Sequence, residues 1–184
     1  MSTDGLLDRL YRRYAYPAYL VTHSDIVGRI AAVLAEAHRV IDGEVDVDRV
    51  TRGGYLHDIG RSPLLDGDER DHAELSALVL AAEGMPELGE LVRRHPVYTV
   101  LDHARAPRNL EEKIVYLADR RGGLAAVSLD ERMQELMARR PEHAESLRRA
   151  HPLAREIERE VFAPLPFGPE DLASRLRETD GVRL

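Results

Sequence analysis

Apolar residues recur along the chain at the 3.6-residue period of helices, and the stripes are separated by Gly, Pro and Asp-Gly punctuation. Leu6, Leu7, Leu10 and Tyr14 predict a short first helix. His23, Ile26, Val27, Ile30 and Leu34 stand at offsets 0, 3, 4, 7 and 11 and predict a longer second one, ending at the Asp42-Gly43 turn. Val47, Val50, Gly54 and His57 share the next stripe, which Gly60 and Pro63 close. Leu64 to Arg70 reads as a polar loop. His72, Leu75, Val79 and Ala82 mark a helix from Asp71 to Gly84, and Leu88, Leu91, Val92 and His95 mark one from Pro86 to Pro96. Residues 96–109 read as irregular, and Leu110 to Arg121 as a helix with a broad apolar face. After Gly122-Gly123, Leu129, Met133, Leu136 and Met137 give an ordinary core stripe, followed by an Arg- and Glu-rich helix from Pro141 toward Val161. Phe162 to Pro169 reads as an extended connector before a terminal helix at about 170–178. No segment alternates as a strand does, so the expected fold class is all-α.

Composition narrows the class without changing that picture. The 184 residues are 43% hydrophobic and 32% charged, as in ordinary globular domains. Aromatic residues are only 5%, without tryptophan, so the core must be mainly aliphatic. A net charge of −7 argues against broad affinity for nucleic acid or membrane surfaces. No run approaches the ~18 apolar residues of a membrane span, and the N-terminal stretch lacks a signal-peptide core. A cytoplasmic protein is expected. With no cysteine, disulfides, thiolate metal sites and Cys nucleophiles are excluded. Lys113 is the sole lysine, so nearly all positive charge is arginine, first a compositional bias and second a set of candidate phosphate readers.

The chemistry lies in polar residues that interrupt apolar stripes. His23, His57, Asp58, His72, His95 and Asp119 fall on five successive predicted helices. One such histidine is ordinarily a hydrogen-bonded core or capping residue. His38, His143 and His151, in polar surroundings, take that plain reading. Several imidazoles and carboxylates turned toward an apolar interior are costly unless something pairs with them, and a metal ion does so. His57 and Asp58 diverge by ~100° on a helix, so near its end both can reach one cation while Asp58 keeps an oxygen for a second.

His23, then His57-Asp58, then Asp119 resemble the H…HD…D signature of the HD-domain superfamily of metal-dependent phosphohydrolases. His-Asp-Ile-Gly (57–60) resembles its HDIG subgroup, and Leu110 to Asp119 resembles the helix carrying the last aspartate. The resemblance covers roughly residues 20–140. It implies an HD-domain helical bundle over 1–125, with the helices of 126–184 packed on it. It implies that His23, His57, Asp58 and Asp119 bind a first metal. His72 and His95 match two further histidines of members with two metals, in which Asp58 would bridge. Bacterial hydrolases that split diadenosine tetraphosphate symmetrically look similar in size and ligand order. Arg61 stands where the subgroup commonly has lysine.

These expectations describe hydrolysis of a phosphoester or phosphoanhydride by metal-activated water, with Asp58 and Arg61 as catalytic groups. Two divalent ions are expected, Fe or Mn first, with Zn, Co, Ni or Mg as alternatives. The expected partner is a small phosphorylated compound of nucleotide type, not a nucleic acid or a membrane, and a homodimer is left open. Arg94, His103, Arg105 and Arg108 are candidates for holding the substrate, against the plainer reading of a solvated basic loop. Tyr98 and Tyr116 are candidates for stacking on a base. The same ligands also suit a two-iron HD-fold oxygenase, and a non-catalytic nucleotide-binding regulator is the third reading.

Overall fold

The computed structural model describes residues 3–180, so residues 1–2 and 181–184 of the two expected regions lie outside it. Among the described residues nine α-helices follow in order: α1 (Thr3–Arg13), α2 (Ala18–Asp42), α3 (Val47–Leu56), α4 (His72–Ala82), α5 (Pro86–Val92), α6 (Leu110–Arg121), α7 (Leu129–Arg139), α8 (Ala144–Phe162) and α9 (Leu172–Asp180). The same residues hold no β-strand beyond one isolated bridge between Gly122 and Ala126. The protein is all-α.

Local chemistry sets the helix ends. The Asp46, Asp71 and Asn109 side chains accept from the backbone N–H groups of Arg49, Ala73 and Glu112, capping α3, α4 and α6. Ser128 and Glu131 form a capping box at the start of α7. Gly43, at φ +75°, ends α2 in the left-handed conformation.

The interior is aliphatic, with Leu10, Ile30, Leu34, Leu56, Ile59, Leu80, Ile114 and Leu117 fully buried. Leu129, Met133, Leu147, Ile157, Phe162 and Leu172 from the C-terminal helices belong to the same hydrophobic cluster. Helix α6 is buried on nearly every side, so its polar residues are matched internally: Glu111 by Arg49 and the Asp46 N–H, Arg121 by Glu158 at 2.7 Å. Helix α2 is long and apolar enough to cross a membrane, but it packs against α3 and α6 and carries Val27, Ile30 and Leu34 into the core.

Two glycines let backbones meet. A Cβ on Gly54 of α3 would lie 2.8 Å from the Gly28 Cα of α2, so the two helices cross in direct contact. A Cβ on Gly60 would lie 2.1 Å from the His72 carbonyl oxygen, while the Gly60 N–H donates to Ser76 Oγ at 2.9 Å. The turn after His57-Asp58 is thereby pressed onto the start of α4.

The connectors differ from their expected forms. Residues 63–65 form a 3-10 turn that runs into the start of the expected loop, and residues 97–101 form another inside the stretch expected to be irregular. The 162–169 connector is not extended. Phe162 is the last residue of α8, Leu165 N–H donates to its carbonyl at 3.0 Å, and its ring meets Phe167 edge-on at 6.0 Å. Burial of Phe162 holds the segment in a turn that the prolines alone did not reveal.

Gly60→Ala is expected to lose about 1–3 kcal/mol of stability through overpacking against backbone, measured as a lower urea midpoint by circular dichroism. An unchanged midpoint would show that the turn is not held against α4.

Candidate metal centre

Each candidate ligand sits where a helix begins, ends or crosses another. His23 lies in the second turn of α2 and His72 opens α4. His95 follows α5, its N–H bonded to the Val92 carbonyl at 3.1 Å, just before Pro96. Asp119 lies near the end of α6. Helix α3 stops at Leu56. Asp58, at φ −102° and ψ 17°, leaves helical geometry before a 3-10 turn at Ile59–Arg61. That break lets adjacent His57 and Asp58 face one centre.

The six side chains meet in one place. His23 Nε2 is 3.2 Å from Asp119 Oδ1, and His57 Nε2 is 3.8 Å from the same oxygen and 3.7 Å from Asp58 Oδ2. On the other side, His95 and His72 place Nε2 at 3.3 and 3.5 Å from Asp58 Oδ1. The Asp58 carboxylate therefore turns one oxygen to each half of the cluster.

Hydrogen bonds assign the imidazole tautomers. His57 Nδ1–H donates to the Gly54 carbonyl and His95 Nδ1–H to the Val92 carbonyl, both at 2.8 Å. That leaves Nε2 as a bare acceptor on each ring. His72 Nε2 accepts from the Arg61 guanidinium at 2.9 Å and lies 3.2 Å from His95 Nε2, so two lone pairs face each other. His57 Nε2 is fully buried with no hydrogen-bond partner among the described residues. A divalent cation suits this donor set of neutral imidazole and carboxylate. His23, His57 and Asp119 form one group able to hold an ion, and His57, Asp58 and His95 form another.

A scan against protein-family models matches the HD domain over residues 20–122, more than half of the chain. The chain belongs to the HD domain family. Curated relatives match shorter pieces. Ribonuclease Y of Pseudothermotoga lettingae is 39% identical over 80 residues, which are 43% of this chain and 14% of that protein. A tRNA (cytidine(56)-2'-O)-methyltransferase of Thermoplasma volcanium is 32% identical over 93 residues, 50% of this chain and 25% of that one. The chain thus spans about a seventh and a quarter of these relatives' lengths. No solved structure matches significantly.

The electrostatics of this HD domain favour neutral rings beside charged carboxylate. Burial lowers the His23 pKa to about 4, and burial with neighbouring His95 lowers His72 to about 3. Burial likewise holds His57 well below the usual histidine range. For Asp58, burial opposes ionisation, but His57, His95 and the Arg61 guanidinium outweigh it and hold the carboxyl well below its usual range. With His57 neutral, the permanent charge is that of Arg61, whose Nε donates to Asp58 Oδ1 at 2.8 Å.

Five of the six candidate ligands, all but the fully buried His57, line a cavity of about 840 Å³. Arg61 and Tyr98 line it, and Tyr98 donates to Asp71, the cap of α4. The residues expected to hold substrate do not. Arg94 is a structural clamp instead: its guanidinium donates to the Ala104 and Ala106 carbonyls at 2.8 and 3.1 Å and sits 3.4 Å from Glu112. His103, Arg105 and Arg108 lie outside the lining, with Arg105 stacked over the Tyr98 ring at 5.3 Å. Tyr116 is wholly buried in the core and offers no face for a base.

The cavity's far side comes from residues to which no site role was expected. Arg132, Arg139, Arg140 and His143 all line it, while Arg120, also on the lining, sits against Asp119 on the ligand side. In sequence, Arg132 and Arg139 look like the solvated face of an amphipathic helix, and only their seven-residue spacing hinted at a shared direction. His143, given the plain reading, is on this wall. His38 and His151 are satisfied elsewhere, by the Val161 carbonyl at 2.8 Å and Asp130 at 2.7 Å.

His23 and His72 titrate near 4 and 3 in the fold, against about 6.5 in an unfolded chain. Between those values the unfolded chain binds more protons, so stability is full above about pH 6.5 and falls as the pH drops toward 4. Metal-free protein should show a lower urea midpoint at pH 5 than at pH 7, with a smaller drop in His23→Gln. Equal drops in both proteins would remove His23 as a source of the effect.

Proposed function

We propose that the protein is a metal-dependent phosphohydrolase acting on a small phosphorylated compound of nucleotide type. The observation that carries this reading is a buried set of imidazole and carboxylate groups, five of them on the lining of an arginine-rich cavity, with the unpartnered His57 Nε2 buried among them. His23, His57, Asp58 and Asp119 would hold one ion and His72, His95 and Asp58 a second, with Fe or Mn favoured. Bound divalent ions supply acidification of water and neutralisation of phosphate charge.

The chain's own groups do the rest. The His57 and His95 rings are fixed by backbone carbonyls, so their acceptor atoms need no reorganisation when a ligand arrives. Arg61 faces the cavity beside Asp58, and its planar fork suits the non-bridging oxygens of a phosphate, whose charge grows toward the transition state. Asp119 has its second oxygen held by Arg120, which orients the first toward His23. Residues through 125 carry the ligands, and the helices beyond close the substrate side. The two curated relatives, named for acting on RNA and tRNA, agree with a nucleotide-type substrate.

Elemental analysis of the protein, with a panel of phosphomonoesters, phosphodiesters and phosphoanhydrides under Mn, Fe, Co and Mg separately, tests the reading. Asp58→Ala should lose metal and turnover together; stoichiometric metal retained in that variant would remove Asp58 as a shared ligand. Arg61→Ala should keep its metal while turnover falls by about a hundredfold or more. Turnover that requires dioxygen and ferrous iron would overturn the hydrolase reading.

A further inference from the structure

The two halves of the ligand cluster differ in what already faces their acceptor atoms. In the first half, His23 and His57 turn Nε2 toward Asp119 Oδ1 at 3.2 and 3.8 Å, and Asp58 Oδ2 lies 3.7 Å from His57 Nε2. Among the described residues no arginine donates to these atoms, since Arg120 takes the other oxygen of Asp119. In the second half, His72 Nε2 lies 3.2 Å from His95 Nε2, and the two stand 3.5 and 3.3 Å from Asp58 Oδ1. Here a cation is already present. Arg61 Nε donates to Asp58 Oδ1 at 2.8 Å, and its Nη2 donates to His72 Nε2 at 2.9 Å.

One of these atoms makes the two occupants exclusive. A neutral imidazole accepts through a single ring nitrogen with one in-plane lone pair, and a guanidinium only donates. His72 Nε2 therefore accepts from Arg61 or binds an ion, never both. Asp58 Oδ1 has lone pairs for two partners and does not decide the matter. The His72 ring stands on a fixed backbone. Asp71 caps α4 and is itself held by the Tyr98 hydroxyl, and Gly60 lies directly against the His72 carbonyl. The Arg61 side chain is 43% exposed and lines the cavity, so it is the partner with room to move.

We propose that Arg61 is a built-in counter-cation that closes the second ion position, so that a second ion binds only as the guanidinium leaves Asp58 and His72 for the cavity. This rests on the reading of the HD centre as a phosphohydrolase site, which it deepens by ranking the two ion positions. The first half takes its ion without rearrangement, and the second takes one only in exchange for Arg61. The exchange has a consequence for ligand binding. The released guanidinium stands free in the cavity, with its planar fork open to an anion. Filling the second position and readying Arg61 for phosphate are then one event.

Zinc, a diamagnetic divalent ion, added to the full metal-free chain tests this in two measurements. By calorimetry, wild type should bind one ion tightly and a second at least about tenfold more weakly. Arg61→Ala should tighten the weaker ion by about tenfold or more and leave the tighter one nearly unchanged. Loss of charge alone would tighten both ions, because Asp58 offers an oxygen to each half. Equal gains at both positions, or no gain at either, would therefore overturn the proposal. His72→Gln should lose the weaker ion and keep the tighter one, and retention of both would count equally against it. The second measurement follows Arg61 in the intact wild type, through its Nε–H in a proton–nitrogen correlation spectrum, assigned by its absence in Arg61→Ala. That resonance should keep its position through the first equivalent of zinc and move with the second. A resonance unmoved when both ions are bound would sink the exchange, and binding of no zinc by either protein would sink the metal centre with it. If Arg61 behaves as expected but no phosphate compound is hydrolysed with any metal, the exchange stands and the hydrolase reading fails. If wild type hydrolyses phosphate compounds while Arg61→Ala changes neither ion, the hydrolase reading stands and the exchange fails.

Discussion

The arrangement depends on uncompensated electron pairs at one buried point. The His57, His72 and His95 rings turn a bare Nε2 toward one another and toward the Asp58 carboxylate, so acceptor faces acceptor. Acceptors do not satisfy each other, and burial removes the water that otherwise would. Arg61 relieves part of the strain at Asp58 and His72, while His57 Nε2 has no partner among the described residues. The cluster is a place where the fold gives up stability that a cation would restore.

Much of the surrounding structure serves to hold that point in shape. The contact between Gly28 and Gly54 brings α2 and α3 close enough for the His23 and His57 rings to stand 5.2 Å apart. Gly60 presses the turn after Asp58 onto α4, whose first residue is His72. The carbonyls of Gly54 and Val92 fix two rings in the tautomer that leaves Nε2 bare. These are backbone devices, and they need no ion to form.

The arginines divide by surroundings rather than by sequence. Arg94 and Arg121 tie loops and helices together from buried positions, through backbone carbonyls and glutamates. Arg61 and Arg120 brace the two aspartates at the cluster. Arg132 and Arg139 share Glu135, Arg140 lies 3.8 Å from Glu142, and all three line the cavity. The result is an acidic protein with an arginine-rich cavity, a distribution that would favour an anionic ligand there.

From the sequence alone, the helical class, most helix positions and the six candidate ligands were legible, because amphipathic periodicity is local and an imidazole on an apolar stripe announces its own cost. Phe162 and Tyr98 show where local reading stopped: one turns a proline-rich connector through burial, and the other reaches Asp71 across the fold. The α7 side of the cavity was less legible still. Arg94 and Arg132 are both helix-associated arginines, and nothing within a few residues of either tells a carbonyl clamp from a cavity wall. That difference is made by contacts between segments far apart in the chain, as the 104–106 loop folds over Arg94 and α7 is laid across the mouth of the ligand cluster. Tertiary packing decides it, because a guanidinium takes its role from the acceptors that long-range folding places within its reach.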